Sequence, residues 1–257
     1  MQVLGFKKTF ILFNLLFSLI AIAEISPEAR AKGFVYLHEI DPTIMTSLRY
    51  FGSENFLGRP VAGYLSPVVI MTKPAAMALA KVQAELKKDG YSLVVYDAYR
   101  PQRAVDDFIF WSKDIADQTK KQNYYPRINK KDVFQLGYVA ERSGHSRGSA
   151  IDLTIIKTHK KLHEVQVKKR QLQDGYEIAF LDDCTVDMGS SFDLFDTASH
   201  FENNLVSAEY KKLRTYLKNV MEKHGFKNYA EEWWHFILKN EPFPADHDDS
   251  YFDFVIE

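Results

Sequence analysis

Two short blocks far apart in the chain carry residue types that suit metal-assisted chemistry. His145 and Asp152 stand seven residues apart in Ser143-Gly144-His145-Ser146-Arg147-Gly148-Ser149-Ala150-Ile151-Asp152, and Glu232 and His235 stand three apart in Glu232-Trp233-Trp234-His235. Together they offer two imidazoles, one carboxylate able to ligate and one spare glutamate. A catalytic zinc needs that set: three protein ligands, an open position for water and a base to take its proton. Hydrolysis is the chemistry such a group would perform.

The spacing constrains the backbone. A regular strand would send His145 and Asp152 to opposite faces, so Ser146-Arg147-Gly148 must turn, leaving His145 before the turn and Asp152 on the strand after it. Asp152 lies between Ile151 and Leu153, where a lone carboxylate is costly to bury unless something ligates or pairs it. Metal ligation and a buried ion pair both answer that requirement. In the second block Trp233, Trp234 and Phe236 form an apolar wall that excludes water, and an aromatic core strand with an incidental histidine would look the same. On a regular strand Glu232 and His235 also face opposite ways. Glu232 is therefore expected at a bent start of the strand, aimed at a water rather than at the metal. Arg100 follows a β-rich run in Tyr96-Asp97-Ala98-Tyr99-Arg100-Pro101, a strand-to-helix junction of the kind that carries functional side chains. Its guanidinium suits a developing oxyanion, or a structural salt bridge to Asp97 or Asp106.

The elements that must position these groups can be read around them. Helices are expected from Lys73-Pro74 to Lys88 before Gly90, from Pro101 to about Asp117 with Phe108, Phe110 and Trp111 in the core, and from a Ser207 N-cap to His224 before Gly225. Strands are expected at Tyr91–Tyr96, Ser149–Ile156 and Trp234–Leu238. Helices and strands do not alternate evenly, so the expected fold class is α+β: a single domain with a mainly antiparallel sheet flanked by helices and the zinc site on the sheet. The charged run from Lys157 to about Asp183 reads as a surface excursion between two functional elements.

Composition bounds the rest. The chain has 257 residues, 46% of them hydrophobic and 14% aromatic, enough for one substantial core and unlike a disordered segment. A net charge of -1 argues against a broad nucleic-acid surface, and the lysine clusters at Lys120-Lys121, Lys130-Lys131 and Lys157 to Arg170 read as solvated faces. Lys7-Lys8, the apolar run Thr9–Ile22 and Ala21-Ile22-Ala23 form the pattern of a secretory signal peptide over residues 1–23. That apolar run is shorter than the ~20 residues that span a bilayer. The expected mature protein, residues 24–257, is exported to a periplasmic or secreted location without stable membrane association. Cys184 is the only cysteine. No internal disulfide is then possible, and Cys184 reads as a semi-buried bystander.

The longer runs Asp97-Ala98-Tyr99-Arg100-Pro101, Ser143 to Thr154, Met188-Gly189-Ser190-Ser191-Phe192-Asp193 and Glu232-Trp233-Trp234-His235-Phe236 resemble the VanX-type D-alanyl-D-alanine dipeptidases, zinc peptidases related to Hedgehog-type domains. Leu48-Arg49-Tyr50 with Asn55-Phe56-Leu57-Gly58, and Ser250-Tyr251-Phe252-Asp253-Phe254, extend the resemblance from about residue 34 onward. The resemblance implies one Zn2+ per subunit, held by His145, Asp152 and His235, with Glu232 as general base acting on a metal-activated water. It further implies that Arg100 stabilises the tetrahedral intermediate, Tyr50 and Asp193 hold the substrate ammonium, and Ser143 contacts its carboxylate. The implied substrate is the small dipeptide D-Ala-D-Ala, in wall-peptide salvage or remodelling. A D,D- or L,D-carboxypeptidase acting on longer peptides and a non-catalytic zinc-binding recognition domain are the alternatives. The 41 positions from Asp152 to Asp193 exceed the spacing expected of compact members. Extra residues are therefore expected between Lys157 and Asp183, as an inert loop or as a lid.

Overall fold

The computed structural model describes residues 25–257, so the expected signal segment lies outside the described residues. Its elements, in chain order, are α1 (Pro27–Ala31), β1 (Phe34–Tyr36), α2 (Leu37–Ile40), β2 (Met45–Thr46), β3 (Ile70–Thr72), α3 (Lys73–Lys88), β4 (Tyr91–Asp97), α4 (Gln102–Lys113) and α5 (Lys121–Tyr124). There follow β5 (Ala150–Lys157), β6 (Gln166–Gln171), β7 (Glu177–Asp182), α6 (Ala208–Lys223), β8 (Phe226–Tyr229) and β9 (Glu232–Leu238). A five-stranded sheet runs in the order β2-β4-β5-β9-β8, and only the β2/β4 pair is parallel. The architecture is α+β with a mainly antiparallel sheet.

The three middle strands are the apolar runs of the sequence. Leu93, Val94 and Val95 on β4, Ile151, Leu153 and Ile155 on β5, and Trp233, Trp234 and Phe236 on β9 are all buried. Helices α3 and α6 pack beside this sheet, each contacting a strand and each other. Pro74 sits in the first turn of α3, where its missing N–H is not needed.

Helix α4 ends at Lys113, short of the expected Asp117. Its buried stripe is Ala104, Val105, Phe108 and Trp111, a helical period that leaves Phe110 on the opposite face at 71% exposure rather than in the core. The charged excursion is an antiparallel β6–β7 hairpin with Lys168 and Lys169 outward. It is not wholly surface: Leu172, Ile178, Leu181 and Asp183 are buried, and Asp183 pairs with buried Arg49.

The C-terminal segment is woven into the core. Phe252 and Phe254 meet Phe34 edge-on, each at 5.5 Å between ring centres. Phe252 N donates to the Ser146 carbonyl at 2.9 Å, and Ile256 N to the Gly63 carbonyl at 2.8 Å.

Candidate active site

Sheet register brings the two sequence blocks together. Asp152 on β5 is the direct cross-strand partner of His235 on β9, so their side chains share one face. His145 arrives from the 3-10 turn Gly144–Arg147 that precedes β5. The turn closes at Gly148, whose φ of +80° is left-handed and whose added Cβ would stand 2.3 Å from the Phe34 ring; neither the conformation nor the space admits a side chain. Ser143 Oγ accepts a hydrogen bond from His145 N at 3.2 Å and caps the same turn.

Three donor atoms converge. His145 Nε2 lies 3.0 Å from His235 Nδ1 and 3.3 Å from Asp152 Oδ2, and His235 Nδ1 lies 2.9 Å from Asp152 Oδ1. Bonds of ~2.0–2.1 Å in a tetrahedral zinc site separate neighbouring donors by ~3.3–3.4 Å, so this triangle fits such an ion with small adjustments. His145 Nδ1 lies 2.6 Å from the Ala98 carbonyl, which fixes the proton on Nδ1 and presents Nε2 as a lone pair. Burial pushes the imidazole below its ordinary pKa, so it is neutral and ready to ligate.

Glu232 faces the same space through a bulge. Phe236 pairs with Asn228, yet Glu232 pairs with the adjacent Tyr229, so three residues of β9 oppose none of β8. Asn228 Nδ2 spans the irregularity, donating to the carbonyls of Glu232 at 3.1 Å and His235 at 3.0 Å. The bulge puts the Glu232 carboxylate 3.7 Å from His235 Nδ1. The sequence pointed to a bend here, but nothing in it singled out Asn228.

Arg100 makes the salt bridge to Asp97 that its position offered. Its Nε donates to Asp97 Oδ2 at 2.9 Å, and its Nη2 lies 3.4 Å from Asp152 Oδ2. Asp106 instead receives a bond from Gln102. Asp97 also accepts from Tyr64 at 2.7 Å and stands 3.7 Å from His145 Nδ1, a supporting role that the sequence showed only as a salt-bridge option. Beside Arg100, whose guanidinium lies 5.1 Å from its ring centre, Tyr50 donates to Asp193 Oδ2 at 2.8 Å.

Tyr50, Arg100, Ser143, His145, Asp152, Asp193, Glu232 and His235 all line one cavity of about 220 Å³. Aromatic and loop residues not singled out from sequence complete it, among them Phe108, Tyr138, Phe195 and Tyr229. Three carboxylates, Asp152, Asp193 and Glu232, line the cavity with the one guanidinium of Arg100, which Asp97 pairs as well. Burial, and after it the charge of Asp152, pushes Asp193 and Glu232 well above the usual carboxylate range. Acidic side chains thus outnumber the one guanidinium in the lining, an imbalance that a bound cation would offset.

Comparison with known proteins agrees with this geometry. The family model described as D-ala-D-ala dipeptidase (Peptidase M15) matches residues 30–165 and 178–257. The chain belongs to the D-Ala-D-Ala dipeptidase family. It is 36% identical to a D-alanyl-D-alanine dipeptidase of Enterococcus faecium over 88% of this chain and 98% of that one. The Streptomyces coelicolor relative of the same name is 38% identical over 87% of this chain and 98% of that one. An Escherichia coli member is 29% identical over 79% of this chain and 83% of that one. A solved structure of the vancomycin resistance D,D-pentapeptidase VanY with Zn(II) is more distant, at 14% identity and a TM-score of 0.35 over 70% of this chain and 79% of that one.

As a peptidase of the D-Ala-D-Ala dipeptidase family, the chain departs from the family model at residues 166–177, which are β6 and the hairpin turn. No residue of that hairpin lines the cavity.

Proposed function

We propose that this chain is a zinc-dependent dipeptidase that hydrolyses D-alanyl-D-alanine to D-alanine. The observation that carries the reading is the buried His145–Asp152–His235 triangle with Glu232 beside it, in a small cavity that the buried Asp193 carboxylate also lines. A zinc ion held by those three ligands supplies Lewis acidity and a nucleophile at neutral pH. Glu232 takes the proton of the attacking water and delivers it to the departing amine. The Arg100 guanidinium, held in place by Asp97, meets the negative charge that develops on the scissile carbonyl oxygen.

The rest of the cavity reads as a grip on both ends of a short peptide. Asp193, hydrogen-bonded by Tyr50, offers a buried anion for the substrate ammonium. Ser143 Oγ uses its lone pair on His145 N, which leaves its O–H to donate to the substrate carboxylate. A volume of about 220 Å³ is below the ~300–1,000 Å³ of sites for drug-sized ligands and suits two small residues.

The test is hydrolysis of D-Ala-D-Ala, L-Ala-L-Ala and a pentapeptide ending in D-Ala-D-Ala, each with and without chelator. Chelator-sensitive cleavage of the first alone is expected. Preference for the pentapeptide would make the chain a carboxypeptidase, and bound zinc with no cleavage would make it a recognition domain. The signal-like residues 1–23 further support an exported enzyme that salvages or remodels released wall dipeptide. A mature N-terminus near Glu24 is expected, and an unprocessed cytosolic protein would overturn that role.

A further inference from the structure

The β6–β7 hairpin stands outside the cavity but is built into the wall that carries Asp193. Leu172 and Ile178, 4% and 2% exposed, close a separate apolar cluster with Leu194, Ala198 and Val206. Leu181 N donates to Ser191 Oγ at 2.7 Å. At the hairpin tip Asp174 pairs with Arg127, and the same guanidinium clasps Asp196 through bonds of 2.6 and 2.5 Å. Arg127 also lies over the Tyr176 ring, 5.0 Å from its centre. The hairpin thus grips residues 191–198 by apolar packing, a hydrogen bond and an ion-pair chain.

That gripped segment is the one whose shape matters. Asp193 holds a φ of +59°, a left-handed conformation that an L side chain keeps only where its surroundings over-determine it. Two residues on, Phe195 stacks on Tyr138 at 5.5 Å between ring centres, and both rings line the cavity. The family model passes over residues 166–177, so Leu172, Asp174 and Tyr176 are additions to the family pattern, joined to matched residues such as Arg127, Ile178 and Asp196.

We propose that the inserted hairpin is a positioning element: it braces the Asp193–Phe195 wall from outside and so sets affinity for the substrate end that this wall receives. The proposal rests on the reading of Asp193 as the partner of the substrate ammonium. The brace acts through position alone; none of its residues touches substrate.

The test pairs kinetics with backbone amide exchange in the zinc-loaded full chain. In the double variant Asp174→Ala/Ile178→Ala, KM for D-Ala-D-Ala is expected to rise about tenfold with kcat within about twofold of wild type and zinc content unchanged. Amide exchange should quicken across residues 188–199 and stay slow in β5 and β9. Asp174→Ala alone alters only the tip, should fold normally, and is expected to move both readouts the same way by less. Wild-type KM together with unchanged exchange at 188–199 overturns the proposal. Loss of zinc with kcat falling and KM unchanged also overturns it, because that pattern marks a smaller fraction of active enzyme. The exchange readout needs no substrate, so it judges the brace even if the chain leaves D-Ala-D-Ala intact. Failure of Asp193→Asn to raise KM would instead remove the ammonium reading.

Discussion

Glu232 and His235 stand on one side of β9, carboxylate 3.7 Å from imidazole, although a regular strand sends residues three apart to opposite faces. The β8–β9 bulge makes this possible, and Asn228 holds it by bonding the carbonyls of both residues. Asn228→Ala leaves those two bonds unmade and frees the strand to regularise. Zinc affinity or kcat should fall ~10–100-fold, the usual effect of losing a group that orients metal-site residues. Chelator competition and steady-state kinetics measure the two; wild-type values in both would show that the bulge holds without Asn228.

Glu232→Gln keeps the shape of the side chain and removes its basicity. Turnover of D-Ala-D-Ala should drop by at least ~10²-fold while one zinc per chain remains bound. Metal analysis beside an activity assay decides the matter, and near-normal turnover would take Glu232 out of the mechanism.

Asp193→Asn removes the buried anion opposite the metal ligands. A charge-assisted hydrogen bond contributes ~1.5–3 kcal/mol, so KM for the free dipeptide should rise ~10–100-fold. The same variant should lose little toward N-acetyl-D-Ala-D-Ala, which carries no ammonium. Equal losses on both substrates would mean that Asp193 serves another purpose.

How far the site was legible depends on what kind of interaction placed each residue. His145, Asp152 and His235 sit in local patterns, a glycine turn and two apolar strands, and local patterns survive in sequence. Tyr64 could not be weighed in the same way, because its bond to Asp97 joins residues 33 positions apart that only packing brings together. Phe110 shows the limit within one helix: it stands between two core aromatics in sequence, and only the position of the buried stripe decides which of the three faces water. The β6–β7 hairpin read as a charged excursion because its lysines dominate the composition. Its two buried anchors, Leu172 and Ile178, pack with Leu194, Ala198 and Val206, which lie outside the hairpin.

The excess of negative charge also gives a pH prediction. Burial and the neighbouring carboxylates hold Glu232 and Asp193 well above the usual range, so each binds its proton more tightly folded than unfolded. Their contribution to stability is then fully present below the unfolded value of about 4 and is lost as pH rises through the folded value. The chelated protein should therefore lose Tm relative to the zinc-loaded protein as pH climbs from about 4 toward neutrality. Asp193→Asn should flatten that difference. Thermal unfolding of both forms across this range measures it, and parallel Tm curves for chelated and loaded wild type would reject the charge balance.

The woven C-terminal segment bears on how the candidate site keeps its shape. Phe252 bonds the carbonyl of Ser146 within the turn that presents His145, and Ile256 pairs its backbone with Gly63 and Tyr64. The turn that presents His145 thus rests on backbone far from it in sequence, so the shape of the candidate site depends on contacts outside its own sheet.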